Sequence, residues 1–306
     1  MGGYIPKPFM IRTCLSVPLP SDFRFWRTVY SHGWCSLPPF QVDRENRTLS
    51  RLLELEDGTL VRCSVSSSGS RLQVEATSAG NITAARRGEI KTQLLDCLRV
   101  NEDLSGFHAE ARKYREYRWI PPTGAGRMLR SPTVFEDVVK MICTTNCSWS
   151  LTEAMVKNLT GILGRPFTGG TGSFPLPAAL AGVTESFIRK NIRAGYRSPF
   201  LLELSERIAG GKLEIESWRK SPLPTGELFR QVRSVKGIGE YAAGNILKLL
   251  GRYDFLGLDS WVRGKYYELH KKGRRVSDKT IEKHYAPYGR WRGLFLWLEV
   301  TRAWHE

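Results

Sequence analysis

The run GELFRQVRSVKGIGEYAAGNILKLLG, residues 226–251, reads as two helical stretches joined by Val235-Lys236-Gly237-Ile238-Gly239. Two glycines separated by one apolar residue make a tight hairpin, because glycine enters backbone regions closed to other residues. They also let the main chain approach a phosphate closely. The N-terminus of the second helix aims unpaired N–H groups and a positive dipole at the same point, and Lys236 adds a point charge in the turn. Taken alone, such a turn serves ordinary helix packing more often than anion binding. About 20 residues further on, FLGLDSWVRGKYYELH (255–270) is an apolar approach that ends in Asp259, a natural N-cap for a new helix. An aspartate delivered to a helix start at this spacing after a helix–GIG–helix unit is much rarer than either part.

The segments around this unit divide the chain into two regions. In TLSRLLELEDGTLVRCSVSSSGSRLQVEAT (48–77), Val61, Cys63 and Val65 alternate with polar residues, as do Leu72, Val74 and Ala76, with turn signals at Asp57-Gly58 and Ser68-Gly69. This predicts an antiparallel meander. From about residue 84 the period lengthens: TVFEDVVKMICTTN (133–146), LTEAMVKNLTGILG (151–164) and SPFLLELSERIAGG (198–211) space their apolar residues by three and four. Breaks at 121–126 and 169–177 are short enough to be loops. The expected fold is α+β, with an antiparallel sheet domain in 1–105 and a helical domain in 106–306 that carries the hairpin at 235–241.

The 306 residues include 46 Lys and Arg against 30 Asp and Glu, a net charge of +16. Residues 1–100 account for only 13 of the basic and 9 of the acidic side chains, so most of the excess belongs to the helical region. That balance suits a polyanionic partner, nucleic acid first. Six scattered cysteines form no Cys-x-x-Cys pair, and the five histidines form no metal-spaced pair, which argues against zinc ribbons and disulfide scaffolds. No apolar run approaches a membrane span, and the start lacks the core of a secretory signal, so an intracellular, non-secreted chain is expected, in the cytoplasm or nucleoid of a prokaryotic host or the nucleus of a eukaryotic one.

With the hairpin and Asp259 in place, the sequence resembles the helix–hairpin–helix DNA glycosylases, whose signature is L-P-G-[IV]-G followed about 20 residues later by an aspartate. RMLRSPTVFEDVVKMICTTNCSWSLTEAMVKNLTGILG (127–164), IRAGYRSPFLLELSERI (192–208) and YAPYGRWRGLFLWLEV (285–300) look like segments of the 8-oxoguanine and alkylbase branches. The resemblance implies that Asp259 is the catalytic carboxylate. It places Tyr241, Asn245 and Trp297 in the base pocket, and Lys236, Gly237, Gly239, Asn146, Tyr196 and Arg197 against DNA. Asn146 would enter the gap left by the flipped base, Tyr196 would wedge, and Arg197 would contact the unpaired partner.

Departures from the family pattern sharpen the expectation. The lysine of the lyase branch falls on Tyr241, with neither Lys236 nor Lys248 in that position. The glutamine that reads guanine falls on Gly293, and a second arginine falls on Leu151. The four-cysteine iron–sulfur loop of another branch is absent. Together these imply a monofunctional glycosylase acting on damaged bases in double-stranded DNA, alkylated purines first, as a monomer with no cofactor. A monovalent cation at the carbonyls of Arg233, Val235 and Ile238 is the one ion the family suggests. A glycosylase for an oxidised or deaminated base, or a hairpin that binds DNA without catalysis, are the alternatives.

Overall fold

The structure, a computed structural model, describes residues 10–168 and 171–304. Five strands form one antiparallel sheet: β1 (Ile11–Pro18), β2 (Phe40–Asp43), β3 (Thr48–Glu54), β4 (Leu60–Ser68) and β5 (Arg71–Ser78), in the order β1-β5-β4-β3-β2. The expected meander is β3 to β5. Its alternation translates directly into register, with Cys63 opposite Ala76 and Val65 opposite Val74. All six alternating residues are buried. Strands β1 and β2 flank the meander.

The helical region begins at α1 (Ala84–Cys97), where the period change predicts it, with the Thr83 hydroxyl capping the Arg86 N–H. The principal helices that follow are α2 (Ser105–Lys113), α3 (Val134–Thr144), α4 (Trp149–Asn158), α5 (Ser198–Ala209), α6 (Thr225–Arg233), α7 (Glu240–Leu249), α8 (Ser260–Lys271), α9 (Asp278–Tyr285) and α10 (Arg292–Val300). The sequence break at 121–126 closes a short helical turn at Gly124, which is left-handed at φ 64°. Gly169 and Gly170 of the second break lie outside the described residues.

Two hydrophobic cores organise these elements. The first joins the sheet to α3, α4, α5, α6 and α7. The second combines Leu104–Met128 with Tyr253–Val300, thus α2 with α8, α9 and α10. The division expected at 105/106 falls on the first residue of α2, while the sheet's core continues unbroken into helices as far along the chain as Leu249. The seam between the cores runs between α7 on one side and α8 and α10 on the other.

Helix α3 is buried from Val134 to Cys143, including its charged residues. Arg51 of β3 donates two hydrogen bonds to the Glu136 carboxylate, Nη1 to Oε1 at 3.0 Å and Nη2 to Oε2 at 2.5 Å. Lys140, one turn on, lies 2.7 Å from Glu136 Oε1. The Phe40 ring takes both cations, 4.4 Å from Arg51 and 5.0 Å from Lys140. Asp137 accepts from Trp34 Nε1 at 2.8 Å and from the Ser131 N–H at 2.9 Å. Glu216 caps the helix start by accepting the Val134 and Phe135 N–H groups.

Burial pushes the Glu136 carboxyl up, but Arg51 and Lys140 outweigh it and hold it down at about 2. Its ionised form therefore contributes stability above about pH 4.5, and that contribution is lost as pH falls towards 2. Glu136→Gln leaves two buried cations without a counter-charge, and should cost about 3–5 kcal/mol at pH 7 in urea unfolding. Between pH 5 and 2 the wild type should lose more stability than the variant; parallel pH curves would show that Glu136 does not carry this charge balance.

Candidate active site

The hairpin forms where the glycines require it. Gly237 has φ 84°, a left-handed value, and a Cβ there would lie 2.8 Å from the Phe200 ring on α5. Gly239 is the extended N-cap of α7, with open space where its Cβ would be. The Ile238 N–H donates to the Val235 carbonyl at 3.1 Å and tightens the turn. A cavity of about 520 Å³ opens beside it, lined among others by Arg233, Val235, Lys236, Ile238, Gly239, Asn146 and Tyr196. The three residues expected to hold a monovalent cation thus share one hollow.

Around this cavity the expected contact residues differ in what they can reach. Asn146 is exposed and left-handed at φ 45°, a conformation asparagine tolerates. Tyr196 is exposed, with its hydroxyl 3.1 Å from Thr145 Oγ1. Lys236 reaches back to Glu203 at 2.7 Å, on the surface. Arg197 departs from expectation: it is 3% exposed, and its guanidinium donates to Thr145 O, Thr145 Oγ1 and Ala194 O. Three of its five N–H groups thereby tie it to Thr145, the residue before Asn146, and to Ala194.

Asp259 stands at the head of α8 as the sequence predicts, with Oδ1 accepting the Val262 N–H at 2.7 Å. The loop that delivers it is pressed onto α7. A Cβ on Gly244 would lie 3.0 Å from the Gly257 Cα, so both positions need glycine, and Gly257 is left-handed at φ 63°. Asn245 fastens this contact by donating from Nδ2 to Tyr241 O at 3.0 Å and Gly257 O at 3.2 Å. Its Oδ1 accepts from Lys248 Nζ at 3.2 Å. Both N–H groups of the Asn245 amide are thus donated within the protein, while Oδ1 keeps a second acceptor position.

Tyr241, at the start of α7, lies beside Asp259. Burial first, then the Asp259 charge, pushes its phenol up to about 12, keeping it a protonated donor. Trp297 on α10 anchors across the seam, donating Nε1 to the Ser31 carbonyl at 2.9 Å. Its ring lies 6.2 Å from Trp261 and 5.8 Å from Trp304, and those two lie 5.6 Å apart. Three tryptophans thus form an aromatic wall next to the aspartate. Gly293 on α10 cannot be replaced by a longer residue, since a Cβ would come within 2.2 Å of the Phe255 carbonyl.

Several site residues have no signal in local sequence. Trp304 also lines a cleft of about 600 Å³ with Trp26, Tyr30, His32, Gly33, Arg44 and Arg47, a size suited to a small ligand. The Ser31–Gly33 segment that supports Trp297 thereby forms part of its wall. Residues 26–47 and 304 meet only through the tertiary fold. Lys248, two turns along α7, runs inward: it is 1% exposed, with Nζ 2.5 Å from the Leu256 carbonyl and 5.9 Å from the centre of the Trp297 ring. A lysine inside the apolar run Ile246-Leu247-Lys248-Leu249 was the available clue. Among the described residues no group of three or more His, Cys, Asp or Glu is placed to hold a metal ion, and no helix is long and apolar enough to cross a membrane.

No protein-family model and no curated protein sequence matches the chain. Solved structures do. A 3-methyladenine DNA glycosylase from Archaeoglobus fulgidus superposes with a TM-score of 0.74 at 19% identity, covering 94% of this chain and 98% of that one. The apo 8-oxoguanine glycosylase/lyase of Clostridium acetobutylicum gives 0.70 at 18%, covering 95% and 98%. A Schizosaccharomyces pombe 3-methyladenine DNA glycosylase in complex with abasic DNA gives 0.52 at 16%, covering 66% and 97%. The chain has the fold of the helix–hairpin–helix glycosylases, the α+β architecture expected from its sequence.

The two hairpin glycines should respond differently to a methyl group. Gly237→Ala forces a left-handed Cβ into Phe200 and should cost about 1–2 kcal/mol in chemical denaturation. Gly239→Ala, facing open space, should stay within about 0.5 kcal/mol of wild type. Equal effects would mean that the hairpin does not depend on the Gly237 backbone.

Proposed function

We propose that the chain is a monofunctional DNA glycosylase that hydrolyses the N-glycosidic bond of damaged bases flipped out of duplex DNA, alkylated purines first. The observation that carries this reading is Asp259 set between the Tyr241 phenol and the aromatic wall, at the seam of the two cores. The fold it shares with known glycosylases supports it, as does the net charge of +16.

The chemistry follows from these parts. As the bond from C1′ to the base lengthens, the sugar develops positive charge, and the Asp259 carboxylate stabilises it. Water then adds to C1′, giving up a proton to the carboxylate, while the bonding electron pair leaves with the base. A cationic alkylated purine takes that pair and departs neutral, so it needs no acid to protonate it. Its face stacks on tryptophan, which favours cations. On the DNA side, the hairpin N–H groups and the start of α7 receive a phosphate, while Asn146 and Tyr196 probe the duplex. A monovalent cation at the Arg233, Val235 and Ile238 carbonyls would add positive charge at the same phosphate. The enzyme works as a monomer.

Asp259→Asn keeps the shape and most of the cap but removes the charge. The variant should bind lesion-containing duplex like wild type and release base at least ~100-fold more slowly. Near-wild-type release by a folded variant would remove Asp259 from the reaction.

The product should be an intact abasic site, because an imine with the sugar needs an amine at C1′ and the hairpin position offers the Tyr241 phenol. Strand scission should appear only after hot alkali, and borohydride should trap no covalent complex. A trapped complex would make the enzyme a lyase, and its loss in Lys236→Met or Lys248→Met would identify the amine.

A further inference from the structure

Lys248 has no place in the chemistry above, yet it is the basic side chain buried deepest at the site. A primary amine taken from water without a carboxylate bound to it is costly unless the position uses it. Leucine or methionine would fill a similar volume. The surroundings of Lys248 are built for its length. Its stem passes Gly293, where an added Cβ would lie 3.1 Å from Lys248 Cε. The lysine thus occupies the approach to the site that a side chain at 293 would have taken.

Resting on the glycosylase reading, we propose that Lys248 is the specificity determinant of the base site: its amine, beside the Trp297 ring, admits neutral purines when charged and cationic purines when uncharged. Two N–H groups of Lys248 are committed, to the Leu256 carbonyl and to Asn245 Oδ1. As an ammonium it has a third N–H, which can be given to an acceptor atom of a neutral base stacked on Trp297, and its charge repels a base carrying a fixed positive charge. As a neutral amine it presents a lone pair in that direction, and the repulsion disappears.

Both forms are accessible near neutrality. Burial lowers the Lys248 pKa to about 7, with Asp259 opposing the shift. Two titratable neighbours keep one state across this range. Tyr241 is pushed up to about 12, and His32 is pushed down to about 4, by burial first and in part by Lys248 itself. The Arg99 guanidinium, bonded to the Lys248 carbonyl at 2.9 Å, stays charged. Arg292 is turned to the Asp254 carbonyl.

The test is competitive release from duplex DNA of 3-methyladenine, whose nucleoside is cationic, and of 1,N6-ethenoadenine, which is neutral, between pH 6 and 8. A ratio measured on one enzyme cancels pH effects common to both bases. In the wild type the ratio of cationic to neutral release should rise by up to about a hundredfold between pH 6 and 8, as the uncharged-to-charged ratio of the amine does. In Lys248→Met, checked for folding by circular dichroism, the ratio should be independent of pH and at least as high as the wild-type value at pH 8. A flat wild-type ratio overturns the proposal, as does an equal pH dependence in Lys248→Met. Release of neither base at any pH would reject the glycosylase reading and this proposal with it. Borohydride trapping that requires Lys248 would make the residue a nucleophile instead, which also overturns it.

Discussion

Burial of the charged face of α3 is the constraint on which the rest of the molecule depends. Glu136, Asp137 and Lys140 lie between sheet and helices, where an unpaired charge costs several kcal/mol. Each has to meet its partner, and the partners come from distant parts of the chain: Arg51 from β3, Trp34 from the segment before β2, Ser131 from the approach to the helix. A sheet shifted by one residue would turn Arg51 away from Glu136. Apolar packing tolerates such shifts far better than a buried ion pair does. Ser31, three residues before Trp34, is held separately, its hydroxyl accepting the Leu129 N–H at 2.9 Å while its carbonyl receives Trp297.

Both cores contribute to the site, and neither could hold it alone. Helix α7 packs with the first core, and α8 and α10 with the second. The contact between Gly244 and Gly257 brings the two together so closely that Asp259, Tyr241 and Lys248 share one small space. Asn245 ties α7 to the loop through its bond to the Gly257 carbonyl, two residues before Asp259. Such a tie suits a group that must face a developing charge without rearranging.

What could be read in the sequence was local. The hairpin, the capping aspartate and the alternating strands each depend on neighbours within a few residues, and each stands where its pattern places it. Arg197 and Asn245 show where such reading stops. Their types suit DNA contact and base reading, but whether a guanidinium or an amide is free depends on which carbonyls the fold brings to it. Trp261, Trp304 and the cleft beside Trp26 are invisible for the same reason, because residues 26–47 and 304 have no periodic relation. Lys248 lies between: a lysine in an apolar helix stretch is a local anomaly, but only the proximity of Trp297 and Asp259 gives it meaning.

Gly293 carries a consequence for how a site of this kind changes over evolutionary time. A glutamine there would strike the Phe255 and Tyr253 carbonyls and the Lys248 stem together. No single substitution at 293 can therefore convert this pocket to one that reads its base from α10. The lysine would have to shorten and the 253–257 loop retreat first, and that loop carries the aspartate. Positions 248, 253, 255 and 293 are thus coupled, and a change at 293 that moves the 253–255 backbone also moves the approach to Asp259. Lineages that adopted one arrangement would be slow to cross to the other, even with the surrounding fold unchanged.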